Sequence, residues 1–100
     1  MIRCKVNGIV YMLDVLMSDK AKQQGLKRYP LLADDQGVIF VYEKDNMSKY
    51  DFSEIGYQCR ILFLDSNFKT IYQELTKPYQ SKLVSCTQPF RYVIEIGKND

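Results

Sequence analysis

The chain has 100 residues, 46% of them hydrophobic, with 14 basic and 12 acidic side chains for a net charge of +2. That size and content predict a single domain over residues 1–100, burying roughly 65% of its unfolded surface. The near-balanced charge excludes the strong positive field that gathers nucleic acid or an anionic membrane, and no apolar run approaches the roughly 18 residues of a membrane span.

Ile2 to Asn7 and Ile9 to Met17 flank Asn7-Gly8. Asn-Gly supplies the two positive-φ positions of a type I′ turn, so an opening hairpin is predicted. In its second arm Ile9, Tyr11, Leu13 and Val15 make one fully apolar face, and Asp14 interrupts the other, a rim carboxylate or a candidate site residue. Ser18 caps a short helix whose first turn carries Asp19 and whose body is Lys20-Ala21-Lys22-Gln23-Gln24, with Gly25 as its stop. Lys20, Lys22, Lys27 and Arg28 form a local basic cluster, read as a solvated face.

Tyr29-Pro30 forces extended backbone, Leu31-Leu32-Ala33 returns to the core, and Asp34-Asp35-Gln36 turns the chain into Gly37-Val38-Ile39-Phe40-Val41-Tyr42. This apolar run, bounded by turn chemistry, is the predicted central strand. Residues 43 to 56 are polar with scattered aromatics, a loop long enough to be functional or to hide a strand at Tyr50-Asp51-Phe52. Tyr50 and Phe52 share one side if extended, which makes them either core residues or aromatic anchors for a partner.

A strand from Tyr57 to Asp65 and an alternating one from Phe68 to Thr76 read as a hairpin about Asp65-Ser66-Asn67. Pro89-Phe90 introduces a last strand, Arg91 to Ile96, in which Arg91 and Glu95 share a face, and Gly97 to Asp100 form a frayed tail. The predicted class is α+β and mostly β: a small, strongly bent sheet or half-open barrel of five to six strands with one short helix.

Cys4, Cys59 and Cys86 lie far apart without a Cys-x-x-Cys pair, and the chain has no histidine, so neither a zinc site nor any other cofactor is expected. Their odd number suits reduced thiols in a cytoplasmic protein, and Met1-Ile2-Arg3-Cys4-Lys5 lacks the apolar segment of a signal peptide. Without histidine, a phosphate loop or an activated cysteine, no catalytic residue is assigned and a non-catalytic role is favoured.

Gly25-Leu26, Leu31-Leu32, Gly37-Val38-Ile39-Phe40, Phe63-Leu64-Asp65 and Arg91-Tyr92-Val93-Ile94-Glu95-Ile96 occur in an order that resembles the DUF192 (UPF0127) family. These are small bacterial and archaeal domains of mostly unknown function, and the similarity runs from about Val15 to Gly97. The family's Trp-Met-Lys-Asn-Thr motif, followed by Pro-Leu-Asp, would fall at about Asp51 to Arg60. Here that stretch reads Asp51-Phe52-Ser53-Glu54-Ile55 and then Gln58-Cys59-Arg60. The resemblance therefore implies the scaffold without that polar motif. The usage of lysine, tyrosine, isoleucine and asparagine suits an AT-rich genome such as a phage's, which would place the protein in host cytoplasm or virion.

The leading functional expectation is a small protein-binding or assembly module, meeting a protein partner or a second copy through the 43–56 loop and an adjacent sheet edge. The alternative is a small-ligand binder or enzyme with a relocated polar site near Asp14, Glu54 and Arg60. Nucleic-acid binding through Lys20, Lys22, Lys27 and Arg28 ranks last, because the net charge is small.

Overall fold

The computed structural model describes residues 1–97, so Lys98 to Asp100 of the expected tail lie outside the described residues, while Gly97 ends the last strand. Six strands form one sheet in the order β1-β2-β3-β6-β4-β5. They are β1 (Ile2–Val6), β2 (Ile9–Leu16), β3 (Gln36–Asn46), β4 (Cys59–Leu64), β5 (Thr70–Leu75) and β6 (Phe90–Gly97), with helix α1 (Asp19–Gln24) and a 3-10 turn (Gly25–Arg28) between β2 and β3. The mostly β, α+β class is as the hydrophobic pattern predicts.

The opening hairpin forms because Asn7 and Gly8 adopt φ of 50° and 84°, the two left-handed positions its turn needs. β2 and β3 run parallel, so the chain must cross over between them, and α1 is that crossover. Ser18 caps it by accepting a hydrogen bond from the Ala21 amide at 3.1 Å. Gly25 ends it at φ 45°.

Asn7 Nδ2, in the first turn, donates to Gln73 Oε1 of β5 at 3.5 Å. A flat sheet of six strands would hold its edges roughly 24 Å apart at about 4.8 Å per spacing, so the sheet is curled into a half-open barrel. Strand register places Gln73, Leu62, Ile94 and Ile39 on the same, concave face. Val6, Tyr11, Leu13, Leu64 and Ile96 complete this inner core. The convex face is apolar as well, with Val38, Phe40, Ile61, Phe63 and Val93. Leu26, Leu32, Tyr50, Phe52, Ile55 and Val84 cover it from the crossover and the long loops. At about 1.5–3 kcal/mol for each large apolar side chain buried, both layers contribute substantially to stability.

Three predicted boundaries change. β3 runs on to Asn46, so residues 43–46 are strand instead of loop: Asn46 pairs with Phe90 and its Nδ2 donates to the Phe90 carbonyl at 3.1 Å, while Arg91 Nε binds Asp45 Oδ1 at 2.9 Å. Tyr50-Asp51-Phe52 is no strand, only a single antiparallel bridge from Tyr50 to Val84. β5 begins at Thr70, because Phe68 has φ 63° and Asp65 Oδ1 accepts the Asn67 and Lys69 amides, holding a longer turn than the pattern suggests. The three cysteines are free, two of them buried. Among the described residues no helix is long and apolar enough to cross a membrane.

Candidate functional site

β6 is paired along its length to β3 on one side and β4 on the other, so its side chains alternate between the two cores. Glu95 falls on the convex face, between Val38 and Ile61. It is 4% exposed, the one charged side chain among the described residues that is buried. No hydrogen bond or ion pair to its carboxyl exists among the described residues. Removal from water without a compensating donor disfavours the charged form, and burial pushes this carboxyl up to about 8.

The groups around it stay neutral for the same reason. Burial is the main cause that holds the Tyr57 hydroxyl and the Cys59 thiol up at about 12, with the nearby Glu95 charge contributing to each. Tyr50 is raised further by burial and by the hydrogen bond that its hydroxyl shares with Tyr42.

The Glu95 carboxyl is buried but not sealed. It lines a cavity of about 430 Å³ that opens between α1 with its 3-10 turn and the segment from Ser48 to Ile55. Phe40, Leu26, Phe52 and Ile55 provide apolar walls, and Gly25 lets the crossover close on Phe40, since a Cβ there would lie 3.3 Å from Phe40 Cζ. The rim carries Asp19, Lys22, Lys27, Lys49 and Asp51. Lys22 Nζ stands 4.1 Å above the centre of the Tyr42 ring, a cation–π contact. Lys27 Nζ reaches Glu54 Oε2 at 2.8 Å and ties the 3-10 turn to the loop opposite. Past this tie a second cavity of about 360 Å³ continues between Tyr29, Pro30, Tyr57 and Tyr79. A concave apolar cleft with one perturbed carboxyl at its floor has the composition of a small-molecule site.

The segment that holds Glu95, Arg91 to Ile96, is with Phe63-Leu64-Asp65 one of the two more specific points of resemblance to DUF192, and the model of that family, described as uncharacterized ACR, matches residues 2–99. The chain belongs to the DUF192 family. No curated protein matches it. Two solved structures share the DUF192 fold seen here. One is a protein of unknown function from Novosphingobium aromaticivorans DSM 12444, with a TM-score of 0.83 and 17% identity over 95% of this chain and 70% of that one. The other, from Sinorhizobium meliloti 1021, is described as a candidate transcription regulator; it has a TM-score of 0.79 and 18% identity over 95% of this chain and 76% of that one.

In this DUF192 domain the residues singled out from sequence scatter. Asp14, on the convex side of β2, accepts a hydrogen bond from the Tyr29 hydroxyl, and Tyr57 donates to the Tyr29 carbonyl at 2.9 Å, so Asp14 anchors the connection into β3. Glu54 is engaged with Lys27 at the surface. Arg60 lies on the concave side of β4, where its Nη1 donates to Gln73 at 3.1 Å. Asp14 and Arg60 are thus on opposite faces of the sheet, and the expected cluster of Asp14, Glu54 and Arg60 does not assemble. Tyr50 and Phe52 are 7% and 2% exposed and pack in the outer core, so neither is a free aromatic anchor. They nevertheless line the cleft. Sequence reasoning placed Glu95 on a face with Arg91 and assigned it no role. The usable signal was a lone carboxylate inside Val93-Ile94-Glu95-Ile96, a stretch otherwise apolar enough to lie in the sheet's centre.

Proposed function

We propose that this domain is a small-molecule-binding module whose site is the cleft over Glu95. The observation that supports it is a carboxyl without a partner among the described residues that keeps its solvent contact only through a cavity of about 430 Å³ with apolar walls. Such a group is poorly hydrated, and a donor on a bound ligand completes its hydrogen bonding. The groups that face Glu95, the Tyr50 and Tyr57 hydroxyls and the Cys59 thiol, are held neutral by burial, which favours binding over turnover. A screen of uncharged fragments by amide chemical-shift mapping tests the reading. Hits should shift the amides of Leu26, Phe40, Tyr50 and Ile55, and hits that all map elsewhere overturn it.

A second reading, association with a protein, is favoured by β5. Among the described residues it pairs only with β4, leaving its outer edge unpaired, and Leu75 and one side of the Tyr72 ring, which packs on Phe63 with the other, face solvent at 40% and 41% exposure. An unpaired edge with apolar side chains is able to accept an added strand. Replacing Tyr72 with lysine should abolish capture of a partner or a second copy without lowering stability; unaltered association would remove this reading.

A further inference from the structure

Resting on the cleft reading above, the inference concerns which ligand the cleft selects. We propose that it takes a primary organic amine carried on a short apolar chain, with the ammonium seated against the Glu95 carboxylate.

Once ionised, the Glu95 carboxyl in the cleft is an acceptor only, with no donor from the described residues on it. Glu95 is 4% exposed and has no hydrogen bond or ion pair among the described residues. The Tyr42 and Tyr50 hydroxyls share a hydrogen bond that commits one of their two protons, and neither is bonded to the Glu95 carboxyl. An ammonium brings up to three N–H donors and the opposite charge in one group, which a hydroxyl or an amide does not. The walls of Leu26, Phe40, Phe52 and Ile55 bind hydrocarbon, so the amine must sit on an apolar body.

The rim is balanced in charge: Lys27 is paired with Glu54, which leaves Lys22 and Lys49 against Asp19 and Asp51. It therefore sets no net like charge against an entering ammonium.

Proton balance gives the binding a pH signature. The ligand enters as the ammonium, and the proton of the neutral carboxyl leaves to solvent, so association strengthens as Glu95 ionises toward pH 8. The neighbours facing Glu95, namely Tyr50, Tyr57 and Cys59, are all held neutral through that range.

The full chain is titrated by calorimetry and amide shift mapping with pentylamine, 1-pentanol and pentanoate. Pentylamine should bind in the cleft at least tenfold tighter than each of the other two, with affinity rising close to tenfold between pH 6 and pH 7 and levelling above pH 8. Glu95→Gln should remove both the pH dependence and the preference for the amine over the alcohol. If that variant does not fold, the pH profile of the unmodified chain decides alone. Pentanoate or 1-pentanol binding as tightly as pentylamine, a flat pH profile, or pentylamine shifts outside the cleft each overturns the amine assignment. The fragment screen decides the cleft separately, since its uncharged probes do not need the Glu95 charge.

Discussion

A Cβ on Gly37 would lie 2.5 Å from the carbonyl oxygen of Glu95, so the glycine is what lets β3 come up against β6 beside the buried carboxyl. The same atom would lie 2.7 Å from Ile96 Cγ2 and 3.0 Å from Leu13 Cδ2, which leaves it no direction of relief. Gly37→Ala should destabilise the fold by about 2 kcal/mol or more, read from chemical denaturation, because the clash is with backbone and not with a flexible side-chain tip. A change within a few tenths would show that the two strands can part at no cost.

The Glu95 carboxyl titrates at about 8 in the folded chain against an ordinary value of 4.5. The native state therefore binds a proton that the unfolded chain has released between those limits. Its contribution to stability is fully present below about pH 4.5 and is lost as pH rises to about 8, on the order of 5 kcal/mol in total. Glu95→Gln should flatten the stability profile across that window and leave the variant more stable than the parent at pH 8.5. Denaturation midpoints at a series of pH values check both statements.

Phe52 and Tyr50 cover the outer face of the sheet, and the Tyr50 ring centre is 5.2 Å from that of Phe40 and 5.7 Å from that of Phe63. Phe52→Ala should cost about 3–5 kcal/mol, the range for truncating a buried phenylalanine. Loss of a partner's binding with stability intact would instead mark Phe52 as a surface contact.

Ser18 accepts from the Ala21 amide and starts a helix only six residues long, which has little else to initiate it. Ser18→Ala should cost about 1 kcal/mol, and Ser18→Asp should recover most of it, as followed by thermal unfolding. Equal stability of the two variants would place the start of the helix under the control of packing alone.

The likeness to the Novosphingobium and Sinorhizobium proteins is close in fold and low in identity, 17% and 18%, so it carries the sheet and not a site.

Local chemistry was legible in the sequence where one or two neighbours settle it. Asn7-Gly8 dictates the first turn, Ser18 and Gly25 bracket the helix, and the apolar runs at 37–42 and 59–64 mark strands that end in the interior. The order of segments carried the family as well. Tertiary structure alone decided the rest. Strand order, with β6 inserted between β3 and β4, depends on long-range pairing that no local pattern records. That insertion puts Glu95 in the middle of the convex face, where the crossover and the 48–55 segment cover it, and so turns an ordinary alternating glutamate into a buried acid. It also sends Asp14 and Arg60 to opposite faces of the sheet, since a side chain's face is set by its pairing register and not by its distance along the chain.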